Sequence, residues 1–247
     1  MIRRTLSTVG ICLAGALALP ACTGESLSTG VAPKTGSDQA AVPFKDATLV
    51  VEINATDGDA GLQVFLDHEP WKSITISRPD GTRILDMQAR EVLSDYGLTE
   101  LFSESSEPPF KEFPLDEFRK LFPEGEYTFT GETIEGTKMH STVPLSHDFP
   151  EGPTILSPEE DSTVNPAELV VRWDPVPEQA GVEITGYQVV VVREDPLQTL
   201  EADLPATATE MSVPTEFLES GTEYKVEVLA IEASGNATLT EITFSTE

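Results

Sequence analysis

Cysteine is nearly missing from this 247-residue chain, which has only Cys12 and Cys22. Both stand in a leader-like N-terminal segment, so the rest of the protein has no thiol for a disulfide, a zinc site or a nucleophile. Its stability must come from packing. Histidine is scarce too: His68, His140 and His147 are all there are, and their spacing matches no standard metal-ligand pattern. No GxSxG elbow, SxxK, HExxH or glycine-rich phosphate loop occurs. The expectation is a protein that is not an enzyme and carries no cofactor. Positive charge is also in short supply, with 15 Lys and Arg against 43 Asp and Glu and a formal net charge of −28. Such a surface repels nucleic acid and anionic membranes, which excludes nucleic acid as a partner and leaves most of the acids as a solvated surface.

Long apolar runs are confined to one place. MIRRTLSTVGICLAGALALPAC has two arginines, an uncharged stretch from Thr5 to Ala21, and small residues before a cysteine. That is the layout of a secretory leader. Its end resembles the lipobox of bacterial lipoproteins, and the resemblance implies that Cys22 is lipidated and becomes the new N-terminus. An ordinary cleaved leader or an uncleaved anchor is the alternative. Thr23 is not the aspartate that the lipoprotein family associates with inner-membrane retention. The expected address is therefore the cell envelope, lipid-anchored, at the outer membrane of a Gram-negative source, with the membrane engaged through the N-terminal lipid. The expected organisation is a leader over 1–21, a tether over 22–44, a β-rich domain over 45–150 and a second domain over 151–247. The tether is rich in Gly, Ser, Thr, Ala and Pro. Fully drawn out it reaches about 70 Å, and as a coil about 25 Å.

From Ala47 the texture becomes short β-type runs: TLVVEINA, GLQVFLD, WKSITIS and RILDM, then EYTFTG and KMHSTVPL. One helix is expected in PLDEFRKLF, with apolar residues at helical spacing between Pro114 and Pro123. The stretch from Asp95 to Phe113 has no clear period and is long for a structureless loop. The sum predicts a β-sandwich of about seven strands with one short helix. LFPEGEYTF resembles the turn into a strand of immunoglobulin-like or transthyretin-like sandwiches.

HDFPEGPTILSPEEDSTVNP is punctuated by proline and marks a boundary. Beyond it AELVVRWD and ITGYQVVVV alternate, and FLESGTEYKVEVLAIEASGN leads into a last strand, ITFST. A tryptophan on an early strand, ITGYQVVV, and a tyrosine placed after a Leu…Gly turn, in this order, resemble a fibronectin type III domain from about Gly152 to Glu247. The resemblance implies that Tyr224 is a structural tyrosine corner, its ring buried and its hydroxyl bonded to nearby backbone. The whole chain resembles the bacterial lipoproteins that carry such a domain. EASGNAT contains no RGD, so adhesion of the animal type is not carried over. The predicted fold class is all-β, two sandwiches.

Candidate sites follow. If Tyr187 and Tyr224 point inward, Val190, Val192, Leu229, Ile231 and Leu239 point outward from adjacent strands, an apolar patch not expected to face water. Either the N-terminal domain covers it or an unidentified envelope protein binds there. Asp57 and Asp59, with Asp67 further on, look oxygen-rich but fail the EF-hand pattern, and a Gly/Asp turn explains the letters as well. Glu112, Asp116 and Glu117 read as acids at a helix start. Tyr96, Phe102, Phe110 and Phe113 crowd the long loop. The expected function is a non-catalytic envelope lipoprotein that binds proteins or acts as a spacer. A carbohydrate- or calcium-dependent binding module and a hydrolase with its site near 95–113 are the alternatives.

Overall fold

A computed structural model describes residues 40–177 and 179–247, and residues 40–247 form one compact unit. Cys22, the leader and most of the tether lie outside the described residues. In chain order the elements are strand β1 (Asp46–Asn54), β2 (Asp59–Ser77), β3 (Arg83–Gln88), helix α1 (Val92–Tyr96), β4 (Leu98–Glu104), helix α2 (Leu115–Leu121), β5 (Gly125–Thr133) and β6 (Lys138–Leu145). There follow β7 (Thr154–Ser157), β8 (Ser162–Val164), β9 (Val170–Asp174), β10 (Ile184–Glu194), β11 (Leu197–Pro205), β12 (Glu210–Ser212), β13 (Glu223–Glu232) and β14 (Ala237–Thr246). The fold is all-β, with short helices only between strands.

The N-terminal portion has six strands. GLQVFLD and WKSITIS, which read as separate strands, are the two arms of the single 19-residue β2, running through His68-Glu69-Pro70. Its first arm pairs with β1 and β4, its second with β3 and β5, and β5 pairs with β6. Alternation along these strands sends Trp71, Ile74, Ile76, Tyr127 and Phe129 into one fully buried core, closed by Phe118 of α2. Each such ring removes roughly 150–250 Å² from water, worth several kcal/mol. Tyr127 keeps its hydroxyl satisfied inside that core by donating to the Pro123 carbonyl at 3.0 Å.

In the C-terminal portion β10, β13 and β14 form an antiparallel sheet edged by β11, and a three-stranded sheet, β12-β9-β7, packs against it. Trp173, Tyr187, Tyr224 and Phe244 fill the space between the sheets. The larger sheet does not stop at the boundary expected near residue 150. β14 pairs in parallel with β1, Glu52 opposite Ala237 and Asn54 opposite Leu239, so one 11-stranded sheet has the main path β11-β10-β13-β14-β1-β2-β5-β6, with β3 and β4 joined to β2 and β8 to β14.

Candidate functional site

The two faces of β10 and β13 divide the valines. Tyr187, Val189 and Val191, with Tyr224, Val226 and Val228, point into the sandwich core, while Val190, Val192 and Leu229 point to the opposite side. There they meet Leu239 and Ala237 of β14 in one cluster, with Ile231 packed against it half-buried. The structure thus brings together all five residues that the alternation placed outward. They are closed rather than open: Val190, Val192, Leu229 and Leu239 are only 3–6% exposed. Polar side chains rim the strip. Gln188 donates to Glu201 and Asp203 at 2.9 and 2.8 Å, and Lys225 pairs with Glu227 and Glu241 at 2.6 and 3.2 Å. On its N-terminal side the strip is continued edge to edge by β1, with Glu52 and Asn54 facing the same way as Ala237 and Leu239.

Glu52 leads to a second cluster. Carboxylate oxygens of Glu52, Glu104 and Glu107 lie within 4.8 Å of one another. Gln63 donates to Glu52 at 3.1 Å and to Glu104 at 2.9 Å. Gly61 leaves the space for Glu107, since a Cβ there would stand 2.7 Å from its Oε1. Burial first, then the charges of Glu104 and Glu227, push the Glu52 carboxyl up to about 8, and the Gln63 bond offsets this only in part. Three carboxylates are the donor type of a hard cation such as calcium. A protonated Glu52 satisfies the same geometry at neutral pH without one. No spacing rule joins residues 52, 104 and 107, so only topology reveals the cluster.

The acids singled out in sequence are arranged differently. Asn54 Oδ1 accepts from the backbone N–H groups of Thr56 and Asp57 at 2.9 and 3.0 Å, and Gly58 follows with φ of 69°, which makes this segment a β1–β2 turn. Asp59 opens β2 opposite Asn54, whereas Asp67 pairs with Asp46 at the far end of β1, about 26 Å along the strand. Asp57 and Asp59 therefore do not meet Asp67. His68 bonds the Pro43 carbonyl at 3.1 Å and His147 the Phe122 carbonyl at 2.8 Å, while His140 is exposed on β6. Asp116 and Glu117 pair with Arg119 and Lys120 one helical turn on. The 95–113 stretch holds the unforeseen strand β4, and its Phe110 and Phe113 pack on the N-terminal core, leaving Tyr96 80% exposed.

A side chain that sequence reasoning passed over ties these parts together. Asn236, 1% exposed in the β13–β14 turn, accepts from the Val51 N–H at 2.8 Å. Its amide donates to the carbonyls of Ser146 and Asp148, at 3.2 Å each, and to Ser146 Oγ at 3.0 Å. One residue thereby joins β1, the turn and the connection after β6.

Tyr224 is a corner post. Its ring is 1% exposed and stacks on Phe244 at 5.6 Å; its hydroxyl accepts from the Glu219 N–H at 2.7 Å and faces the Phe217 carbonyl at 3.4 Å. Trp173 lies 5.5 Å from Tyr187, whose hydroxyl accepts from the Val176 N–H at 2.8 Å. Residues 157–246 match the family model of the fibronectin type III domain. Among solved structures the chain is similar to a two fibronectin type III domain segment from chicken tenascin, at 12% identity, 82% coverage of this chain, 98% of that one and a TM-score of 0.30. It is also similar to the FN1–FN3 domains of chicken CNTN1, at 13% identity, 83% coverage of this chain, 65% of that one and a TM-score of 0.32. A search of curated proteins finds no match. With the indole, the corner tyrosine and the matched span in one sandwich, residues 157–246 carry a fibronectin type III domain.

Proposed function

We propose that this protein is a non-catalytic lipoprotein of the cell envelope that serves as a protein-binding or spacer scaffold. It is held to the membrane through a lipid on Cys22, with the residues ahead of Val42 as tether, since Val42 already bridges to β6 and Phe44 is buried in the N-terminal core. The observation that carries this reading is the unbroken sheet from β11 to β6, which makes the fibronectin type III domain and the N-terminal portion one stiff body. Stiffness is what a spacer or display surface needs, and domains of this class are generally used as protein-binding scaffolds. The strip at Val190, Val192, Leu229, Ile231 and Leu239 is the proposed partner face only for a ligand that uncovers it, because four of its five side chains are closed. The acidic surface favours protein partners of the same compartment over nucleic acid.

The test is the mass of the mature N-terminus in membranes of the producing cell, compared with a Cys22→Ser variant. The expected result is a diacylglyceryl-modified Cys22 in the parent and loss of the variant from the membrane fraction. An unmodified N-terminus on a soluble mature chain would remove the proposal.

A further inference from the structure

Three of the six exposed large apolar side chains among the described residues, the two most exposed included, stand in one turn. Val92 and Tyr96 of α1 are 79% and 80% exposed and Leu93 is 45% exposed. Positions 92 and 96 share a helical face, and 93 lies beside it. The turn is fastened from beneath: Ala89 N–H donates to the Lys72 carbonyl at 2.8 Å, and Gly97, with φ of 86°, passes so close to Pro70 and Ile134 that a Cβ would stand 2.6 and 3.1 Å from them. Only a glycine fits there, and the apolar residues before it are held outward.

The same end of the molecule receives the chain from the tether. Val42 N–H donates to the Lys138 carbonyl and His140 N–H to the Val42 carbonyl, both at 2.9 Å, in a parallel bridge. Residue 40 thus lies toward the β5–β6 turn, where Ile134 N–H donates to the Pro70 carbonyl at 3.0 Å. Leu197, 61% exposed beyond β10, lies at the opposite end of the sheet, since the register places it level with Ser245 and far past the end of β1.

We infer that the Val92, Leu93 and Tyr96 turn rests in the headgroup layer of the bilayer that holds the lipid anchor, and so sets the body upright with the β11 end outermost. This rests on the lipid-anchor reading above. Seventeen residues lie between Cys22 and Ala40; a flexible chain of that length averages about 23 Å end to end, short enough to keep this end of the body close to the membrane surface. Tyrosine suits the interface and valine and leucine the acyl boundary. Three side chains are too few for a stable protein interface, which buries about 1,000 Å² or more, whereas shallow insertion has no such requirement. The strongly acidic chain gains nothing from anionic lipid, so a zwitterionic surface is enough.

The experiment uses the full lipidated chain in phosphatidylcholine vesicles, with Tyr96→Trp and, separately, Leu197→Trp. Trp71 and Trp173 are fully buried and stay silent to quenchers. The expected result is that emission from position 96 shifts to the blue, loses intensity with brominated lipid and is shielded from iodide, while position 197 does none of these. If the chain floats with the vesicles but position 96 stays open to iodide, the turn does not insert and the anchor stands. If the chain does not float, both readings fall. Shielding of position 96 without vesicles, growing with protein concentration, would mean that a second copy covers the turn and would overturn the inference.

Discussion

Glu52 shows how a single side chain can set the pH dependence of the whole. Its carboxyl is held near 8 against an ordinary 4.5, so between these values the folded chain keeps a proton that the unfolded chain has released. Raising the pH through this window therefore favours unfolding: the stabilising protonated form is fully present below 4.5 and is lost as the pH passes 8. Urea denaturation at pH 5 and pH 8 should show the parent losing stability, by roughly 4 kcal/mol at most. Glu52→Gln, which mimics the protonated acid beside Gln63, should flatten that loss and be the more stable protein at pH 8. Equal pH slopes in the two proteins would show that Glu52 does not carry the effect. Tyr224→Phe tests a different kind of residue. It strands the Glu219 N–H and should cost about 1–2 kcal/mol by the same assay, with the sandwich intact by circular dichroism. The role of Tyr224 was legible because the motif is local: the hydroxyl reaches back five residues to a turn. Glu52 was not, because Gln63, Glu104 and Glu107 approach it only through strand pairing, and a chain with 43 acids offers far too many candidate clusters.

At the scale of elements, the sequence was readable wherever one face is buried and the other wet. β10 and β13 alternate cleanly, and the outward position of Val190, Val192, Leu229 and Ile231 was legible from that, while Ala237 of β14, which joins the same cluster, was not. α2 was legible between its two prolines. β4 escaped because no residue in it is fully buried and its seven positions show no period of two; the exposed edge strand β11 escaped for the same reason. The division of β2 into two runs was a natural misreading, since His68, Glu69 and Pro70 look like a turn, yet the backbone only shifts register there and changes partners. The clasp at Asn236 sits in a turn that otherwise looks like ordinary Ser-Gly-Asn punctuation. Asn236→Ala would leave the Val51 N–H and two carbonyls buried without their partner, and should cost about 1–3 kcal/mol. Because that contact ties β1 to the β13–β14 turn, amide exchange should rise first at Val51 and the adjoining β1–β14 ladder. Faster exchange confined to the β13–β14 turn would place the clasp's role elsewhere.

For the whole molecule, the question is whether the N-terminal portion, whose six strands all belong to the large sheet, and the C-terminal sandwich behave as beads on a string. Each was legible in outline from its own apolar periodicity, and the C-terminal one also from Tyr224, although the N-terminal portion has six strands and two short helices where about seven strands and one helix are expected. Their junction was not, because parallel pairing between strands about 185 residues apart leaves no local signature. The junction is extensive. Beyond the shared ladder, Ala55 N–H donates to the Leu239 carbonyl at 2.9 Å and Glu241 N–H to Thr56 Oγ1 at 3.0 Å. Asn54 donates to the Glu241 carboxylate at 3.2 Å, and Gly152 lies so close to Thr240 and Ala55 that a Cβ would stand 2.6 and 3.0 Å away. Opening either portion exposes the edge of the other, so the cost of unfolding one is felt by both. Differential scanning calorimetry should therefore give a single transition whose calorimetric and van't Hoff enthalpies agree. Asn236→Ala, by weakening the junction, should lower that ratio's van't Hoff term before it separates the transition into two. Two resolved peaks in the parent protein, each with its own enthalpy, would mean that the shared sheet does not couple the two cores.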